Sequence, residues 1–200
     1  MKPVWKYSMA AAWALMVLVM VSVIAASLWR RELPVMAAAP AFELIDQDET
    51  PVTLESLRGS VWIADFIFTQ CAGPCPIMTA KMAKLQQESA SPNVRFVSFS
   101  VDPQRDTPAV LKEYGAKFGA DPKRWKFLTG PQDAIFTTAR GMMVTALPAS
   151  EQNTILHSER FILIDAEGNI RRYYDSNDAK DMESLKRDAA MLAEEAAETQ

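Results

Sequence analysis

The positions from Val61 to Thr69 (VWIADFIFT) are apolar almost without interruption, and those from Val94 to Val101 (VRFVSFSV) nearly as much so. Strands apolar on both faces sit at the centre of parallel sheets, so these two runs predict its middle. Between them the period changes. Ile77, Met78, Met82 and Leu85 recur at helical spacing up to about Ser89, with Pro76 suited to the first turn. Asp106-Thr107-Pro108 supplies a cap and an N1 proline for a helix that reaches Phe118 and is closed by Gly119. Trp125 to Leu128 reads as a short strand, and Pro131 to Arg140 as a helix that Gly141 stops. Phe161 to Asp165 and Ile170 to Tyr174 flank Ala166-Glu167-Gly168-Asn169, a hairpin turn. A last amphipathic helix opens at Asp178 or Ala179 and runs to about Ala197. Upstream, Phe42 and Leu44, then Val52 and Leu54, alternate around Asp46-Gln47-Asp48-Glu49 and predict a hairpin within Phe42 to Leu57.

Strands alternating with helices, finished by a hairpin and a helix, describe an α/β sandwich of the thioredoxin type over residues 42–200. The N-terminus differs. Between Lys6 and Arg30 lie 23 uncharged residues, Tyr7 to Trp29, enough to span a bilayer as one transmembrane helix. This predicts a membrane anchor over residues 1–32, followed by a linker over 33–41 that carries two prolines and an alanine run. A cleavable signal peptide is the competing reading, because Met36-Ala37-Ala38-Ala39 offers small residues to a peptidase; its apolar core, however, normally runs only about 7 to 15 residues. Lys2 and Lys6 oppose Arg30 and Arg31, so flanking charge orients the helix only weakly.

Charge narrows the partners. Setting aside Lys2, Lys6, Arg30, Arg31 and Glu32 from 21 basic and 25 acidic residues leaves 17 against 24, a formal charge of −7 for the domain. Nucleic acid is therefore not an expected partner. The lack of an Arg- and Ser-rich transit segment before the apolar stretch favours a bacterial protein over an organellar one. The side of the inner membrane is better assigned from the domain's chemistry, which puts it in the periplasm.

Cys71 and Cys75 are the only cysteines and His157 the only histidine. If Cys75 opens a helix, the i and i+4 positions share a face roughly 5 to 6 Å apart at Cβ, close enough to chelate a metal or to close a disulfide. Spacing leaves both chemistries open. A structural bridge is the plainer alternative, although a loop this short removes little chain entropy. A helix start beside the thiols would lower their pKa and prepare either a nucleophile or a ligand; soft thiolates favour Cu(I), and an added imidazole suits Cu(II) or Zn(II). Taken alone, His157 reads as a solvated or hydrogen-bonded loop residue. Asp65 stands mid-strand among apolar residues, where an unpaired carboxylate is costly and tends to stay protonated. Its six-residue separation from Cys71 resembles that of the buried aspartate of thioredoxins, which implies a proton acceptor for the deeper thiol, the alternative being a carboxylate turned to an exposed edge or bonded to a neighbour. Met78, Met142 and Met143 read as core.

Three pieces together are more specific. Phe68-Thr69-Gln70-Cys71 to Cys75-Pro76, then Ser100-Val101-Asp102-Pro103-Gln104-Arg105-Asp106-Thr107-Pro108, then Leu156-His157-Ser158 before Phe161 to Asp165, resemble the Sco/SenC family of copper chaperones. The resemblance covers about Phe42 to Leu192. It implies a thioredoxin-like fold with an inserted β-hairpin, a membrane anchor, and copper held by Cys71, Cys75 and His157. It implies delivery of copper, or of reducing equivalents, to the dinuclear copper centre of cytochrome c oxidase subunit II or another copper protein. Asp102 matches the family's Asp-Pro position, with a role in shaping or docking the site, or simply in bonding its own turn. One departure stands out: many family members have Pro and then an acidic residue after the first cysteine, whereas this loop reads Ala72-Gly73-Pro74. A thiol-disulfide oxidoreductase using the Cys71/Cys75 pair without metal is the alternative function.

Overall fold

A computed structural model describes residues 12–21, 33–89, 91–143 and 159–198, in two compact units, Met1–Leu33 and Pro34–Gln200. In the first unit residues 12–21 form helix α1. No helix among the described residues is long and apolar enough to cross a membrane, and the rest of the expected span from Tyr7 to Trp29 lies outside them.

The second unit is built on one mixed sheet. Among the described residues its spatial order is β1 (Ala37–Ala38), β8 (Asn169–Asp175), β7 (Arg160–Ile164), β4 (Val61–Ile67), β5 (Val94–Ser100) and β6 (Trp125–Leu128). β4, β5 and β6 are parallel; β7 runs antiparallel to β4, and β8 antiparallel to β7 and β1. The two apolar runs thus form the middle of the sheet, where β4 is buried at every residue and β5 at all but Arg95. Helices α3 (Pro74–Glu88), α4 (Pro108–Lys117), α5 (Gln132–Gly141) and α6 (Ala179–Glu198) complete the α/β arrangement. Between the layers Phe66 stacks on Phe99 with ring centroids 4.9 Å apart, and Phe42 meets Phe99 edge-on at 5.3 Å.

Several local expectations are corrected. The upstream hairpin is only β2 (Glu43–Ile45) with β3 (Pro51–Thr53); Leu54–Leu57 form a helical turn, α2. The reason is a capping box, in which the Thr53 hydroxyl accepts from the Ser56 N–H at 3.2 Å and Ser56 Oγ from the Thr53 N–H at 3.0 Å. The cap of α4 is Thr107 alone, which accepts from the Val110 N–H, while Asp106 turns inward. α5 does end at Gly141, which is its last residue rather than the one beyond it, and a Cβ there would lie 2.6 Å from Pro40, so the position also needs hydrogen for close packing.

The open edge of the sheet is closed by a side chain. Buried Gln47 donates from Nε2 to the Trp125 carbonyl at 3.2 Å and accepts the Phe127 N–H at 2.8 Å, so its amide takes the place of a neighbouring strand along β6. Nearby, Asp46 accepts from Lys126 at 2.8 Å and from the Thr50 and Asp48 N–H groups. Burial works against its charge, but these donors hold its carboxyl below the usual range. Gln47→Ala should strand both β6 groups, costing about 2 kcal/mol and roughly 4 to 8 °C in Tm by thermal unfolding. A variant melting with the wild type would show that the edge does not depend on this amide.

Candidate functional site

β4 ends at Ile67, and the chain turns through a short loop before α3 begins at Pro74. Cys75 is therefore the second residue of the helix, and Cys71 precedes it. The expected shared helix face does not form; instead the Cys71 N–H donates to the Phe68 carbonyl at 3.3 Å and the loop folds back, so the two thiols hydrogen-bond to each other. A bend in the backbone does what helical spacing was expected to do. Both sulfurs lie at the carboxyl end of a central parallel strand, where open α/β sheets place ligands.

The pair is asymmetric. Cys71 keeps 9% of its surface and Cys75 none, which makes the first the outer thiol and the second the inner one. Burial pushes the Cys75 thiol far above its ordinary value, with a backbone hydrogen bond from Phe68 in opposition and Cys71 and Asp65 adding to the rise. This reverses the lowered pKa expected from a helix start, because loss of water outweighs the peptide dipoles at one residue's depth.

Asp65 lies at the middle of β4, opposite Ser98 on β5, and is completely buried. Neither carboxylate oxygen meets a partner in hydrogen-bonding geometry among the described residues. Burial raises its pKa to about 7, moderated by the Ser98 hydroxyl, which itself accepts the Trp125 indole N–H at 3.0 Å. The exposed-edge alternative is thereby excluded, and Asp65 acts electrostatically on Cys75.

Two residues of this buried polar cluster were not singled out by sequence reasoning. Thr79 Oγ1 donates to the Cys75 carbonyl at 2.9 Å and lies 2.9 Å from the Tyr114 hydroxyl, whose pKa is raised by burial and by the charges of Cys75 and Asp65. The available signal was a threonine four residues after a cysteine on a helix, a spacing that lets its hydroxyl reach back to the i−4 carbonyl.

Asp102, at the exit of β5, stays within its own turn. Its N–H donates to Ser100 Oγ at 3.1 Å, its carbonyl accepts from Arg105 and Asp106, and its carboxylate faces Arg105 Nε at 3.3 Å. Burial raises its pKa, with Arg105 opposing and Asp106 adding to the rise. Met78 and Met142 are core, as expected; Met143 is 59% exposed and Ile77 56% exposed, so the apolar assignment fails for both. Met143 has φ +53 just past the end of α5, which carries its side chain off the helix face. His157 lies outside the described residues, among which no group of three or more His, Cys, Asp and Glu could hold a metal ion.

A family model described as SCO1/SenC matches residues 31–193. The SCO1 protein homolog of Bacillus subtilis (strain 168) is 40% identical over 138 residues, 66% of this chain and 71% of that protein. BsSco, described as a member of the Sco family of cytochrome c oxidase assembly proteins with a disulfide switch, superposes with a TM-score of 0.73 at 32% identity, over 86% of this chain and 99% of its own. Arabidopsis thaliana ScoI with copper bound gives 0.66 at 30% identity, over 82% and 100%. The mixed α/β fold is that of the Sco proteins of thioredoxin type.

Asp65 also makes stability depend on pH. Its folded pKa is above the unfolded one, so folding retains a proton between about pH 4 and 7; stability falls as pH rises through that window and is flat above it. Asp65→Asn, isosteric with the protonated form, should unfold like the wild type near pH 4 and be more stable above pH 7, by up to roughly 4 kcal/mol. Parallel Tm-versus-pH curves for the two proteins would place the Asp65 pKa near its unfolded value.

Proposed function

Because this chain belongs to the SCO1/SenC family, we propose that it carries copper as cargo on Cys71, Cys75 and His157 and delivers it for the dinuclear copper centre of cytochrome c oxidase subunit II or another copper protein. The observation that carries the reading is the pair of hydrogen-bonded, nearly dry thiols at the head of the central strand. Two soft sulfur donors suit Cu(I), and dehydration favours an ion that neutralises the thiolate charge. A third ligand would have to come from beyond the described residues, and the chain has one histidine. Its position supports that role. The antiparallel register of β7 on β4 pairs Ile162 with Ala64, so β7 starts beside the carboxyl end of β4. His157 is three residues ahead of Arg160, within about 10 Å of it along the chain. BsSco and copper-bound A. thaliana ScoI, similar in fold and sequence, agree with a site that takes copper and switches a disulfide. In this proposal the anchor over residues 1–32 holds the domain at the periplasmic face of a bacterial inner membrane. Of the expected linker over 33–41, Ala37–Ala38 is strand β1 of the domain's own sheet, so the domain begins before residue 42.

A second reading is favoured by Asp65. As a thiol-disulfide reductase, the chain would use outer Cys71 to attack an acceptor's disulfide. Cys75, giving its proton to the Asp65 carboxylate, would then attack the mixed disulfide, releasing the reduced acceptor and closing Cys71–Cys75. The raised pKa of Asp65 matches it to this exchange at neutral pH.

Copper titration of the reduced full chain should give one copper per chain. His157→Ala should lower Cu(II) affinity by well over tenfold and Cu(I) affinity much less, since two thiolates suffice for the softer ion. Unchanged Cu(II) affinity would remove His157 from the site. For the reductase reading, reduction of an acceptor disulfide should survive His157→Ala and disappear in Cys71→Ser; activity in the serine variant would eliminate this pair.

A further inference from the structure

The two residues immediately ahead of Cys71 are gripped by a single turn. Asp106 is fully buried, and its carboxylate accepts the Thr69 hydroxyl at 2.6 Å, the Thr69 N–H at 3.1 Å and the Ser100 hydroxyl at 2.5 Å. Its neighbour Arg105 donates from Nη1 to Gln70 Oε1 at 3.3 Å while its Nε faces Asp102. The turn holding them is itself closed, with the Arg105 and Asp106 N–H groups on the Asp102 carbonyl at 3.1 and 2.9 Å, and Thr107 then caps α4. One end of the clamp is thus part of the sheet and of α4, and the other is the cysteine loop.

The rest of the loop is short and small. Between the end of β4 at Ile67 and the start of α3 at Pro74 the Cys71 N–H donates to the Phe68 carbonyl at 3.3 Å, the Phe68 backbone and the Cys71 side chain bond the Cys75 thiol, and Ala72 and Gly73 add almost no side chain. Hydrogen bonds to a buried carboxylate are the stronger kind, and here two of them land two residues from the outer sulfur. From these contacts we infer that Asp106, acting through Thr69, is a positioning residue for Cys71: it keeps the outer thiol against Cys75 and so sets how readily the pair closes into a disulfide. The inference rests on the reading of Cys71 and Cys75 as a reactive pair. Its physical content is effective concentration, because a thiol held near its partner closes the ring at a smaller entropic cost than one on a free loop.

The test measures that ring closure. The full chain is equilibrated in glutathione buffers, trapped by alkylation, and its dithiol and disulfide forms are counted by mass. Closure forms one S–S bond; two electrons and the two thiol protons pass to glutathione disulfide, which splits into two glutathione thiols. Thr69→Val keeps the branched shape and loses the hydroxyl, Thr69→Ser keeps the hydroxyl, and Asp106→Asn replaces one acceptor oxygen with a donor. Thr69→Val and Asp106→Asn should each shift the equilibrium about tenfold toward the dithiol, equivalent to about 30 mV. Thr69→Ser should match the wild type, and the double variant should go no further than the larger single one. A wild-type ratio in Thr69→Val, or equal shifts in Thr69→Val and Thr69→Ser, overturns the inference even if Asp106→Asn does not fold. If the wild type itself closes no Cys71–Cys75 bond in any buffer, the reactive-pair reading fails and the positioning role fails with it.

Discussion

The parallel pairing of β4 with β5 is the constraint on which the site depends. Seven residue pairs are in register, from Val61 opposite Val94 to Ile67 opposite Ser100, and nearly all are buried. Parallel strands end at the same pole, and one further bond, from the Val101 N–H to the Ile67 carbonyl at 2.9 Å, keeps the two exits side by side. The cysteine loop and the turn from Asp102 to Asp106 are therefore neighbours by construction. The same register sets Asp65 against Ser98, and the antiparallel addition of β7 brings a third strand end to that pole. A slip of one residue would turn Asp65 to the other face and separate Thr69 from Asp106.

Dehydration then decides the chemistry. Asp65 and Cys75 are both without exposed surface, and both are pushed toward their neutral forms. A buried carboxyl with a pKa of about 7 exchanges protons near neutrality, where an exposed one would be ionised throughout. A buried thiol resists ionising by itself, yet gives up its proton when a cation or a disulfide takes the sulfur's electron pair. The low dielectric that silences the thiol at rest thus makes it responsive to the event it serves. Copper capture and disulfide exchange are two uses of the same dry pair, which explains why one arrangement of residues supports both readings.

Much of this was legible before any coordinates. The apolar runs marked the central strands, the prolines and Thr107 marked helix starts, and the chain's only two cysteines and only histidine marked the chemistry. These signals are local: they depend on period, capping and composition, which a few adjacent residues carry. Asp65 was flagged by the same logic, as a charge in an apolar run. What escaped was long-range. Gln47 looked like a turn residue until its amide was seen along β6, 78 residues away. Tyr114 meets Thr79 from 35 residues away, and the close approach of Pro40 that Gly141 permits has no local trace.

The cysteine pair shows where the division falls. The identity and order of residues determined by themselves that two thiols would stand at the end of a buried strand, since hydrophobic patterning assigns strand and loop without reference to the rest of the chain. Tertiary structure decided which thiol is inner and which outer, that Cys71 lies off the helix, and that the Cys75 pKa rises where a helix start alone would lower it. The physical reason is that solvent exposure and charge proximity are properties of three-dimensional neighbours, and those are chosen only when distant strands pair.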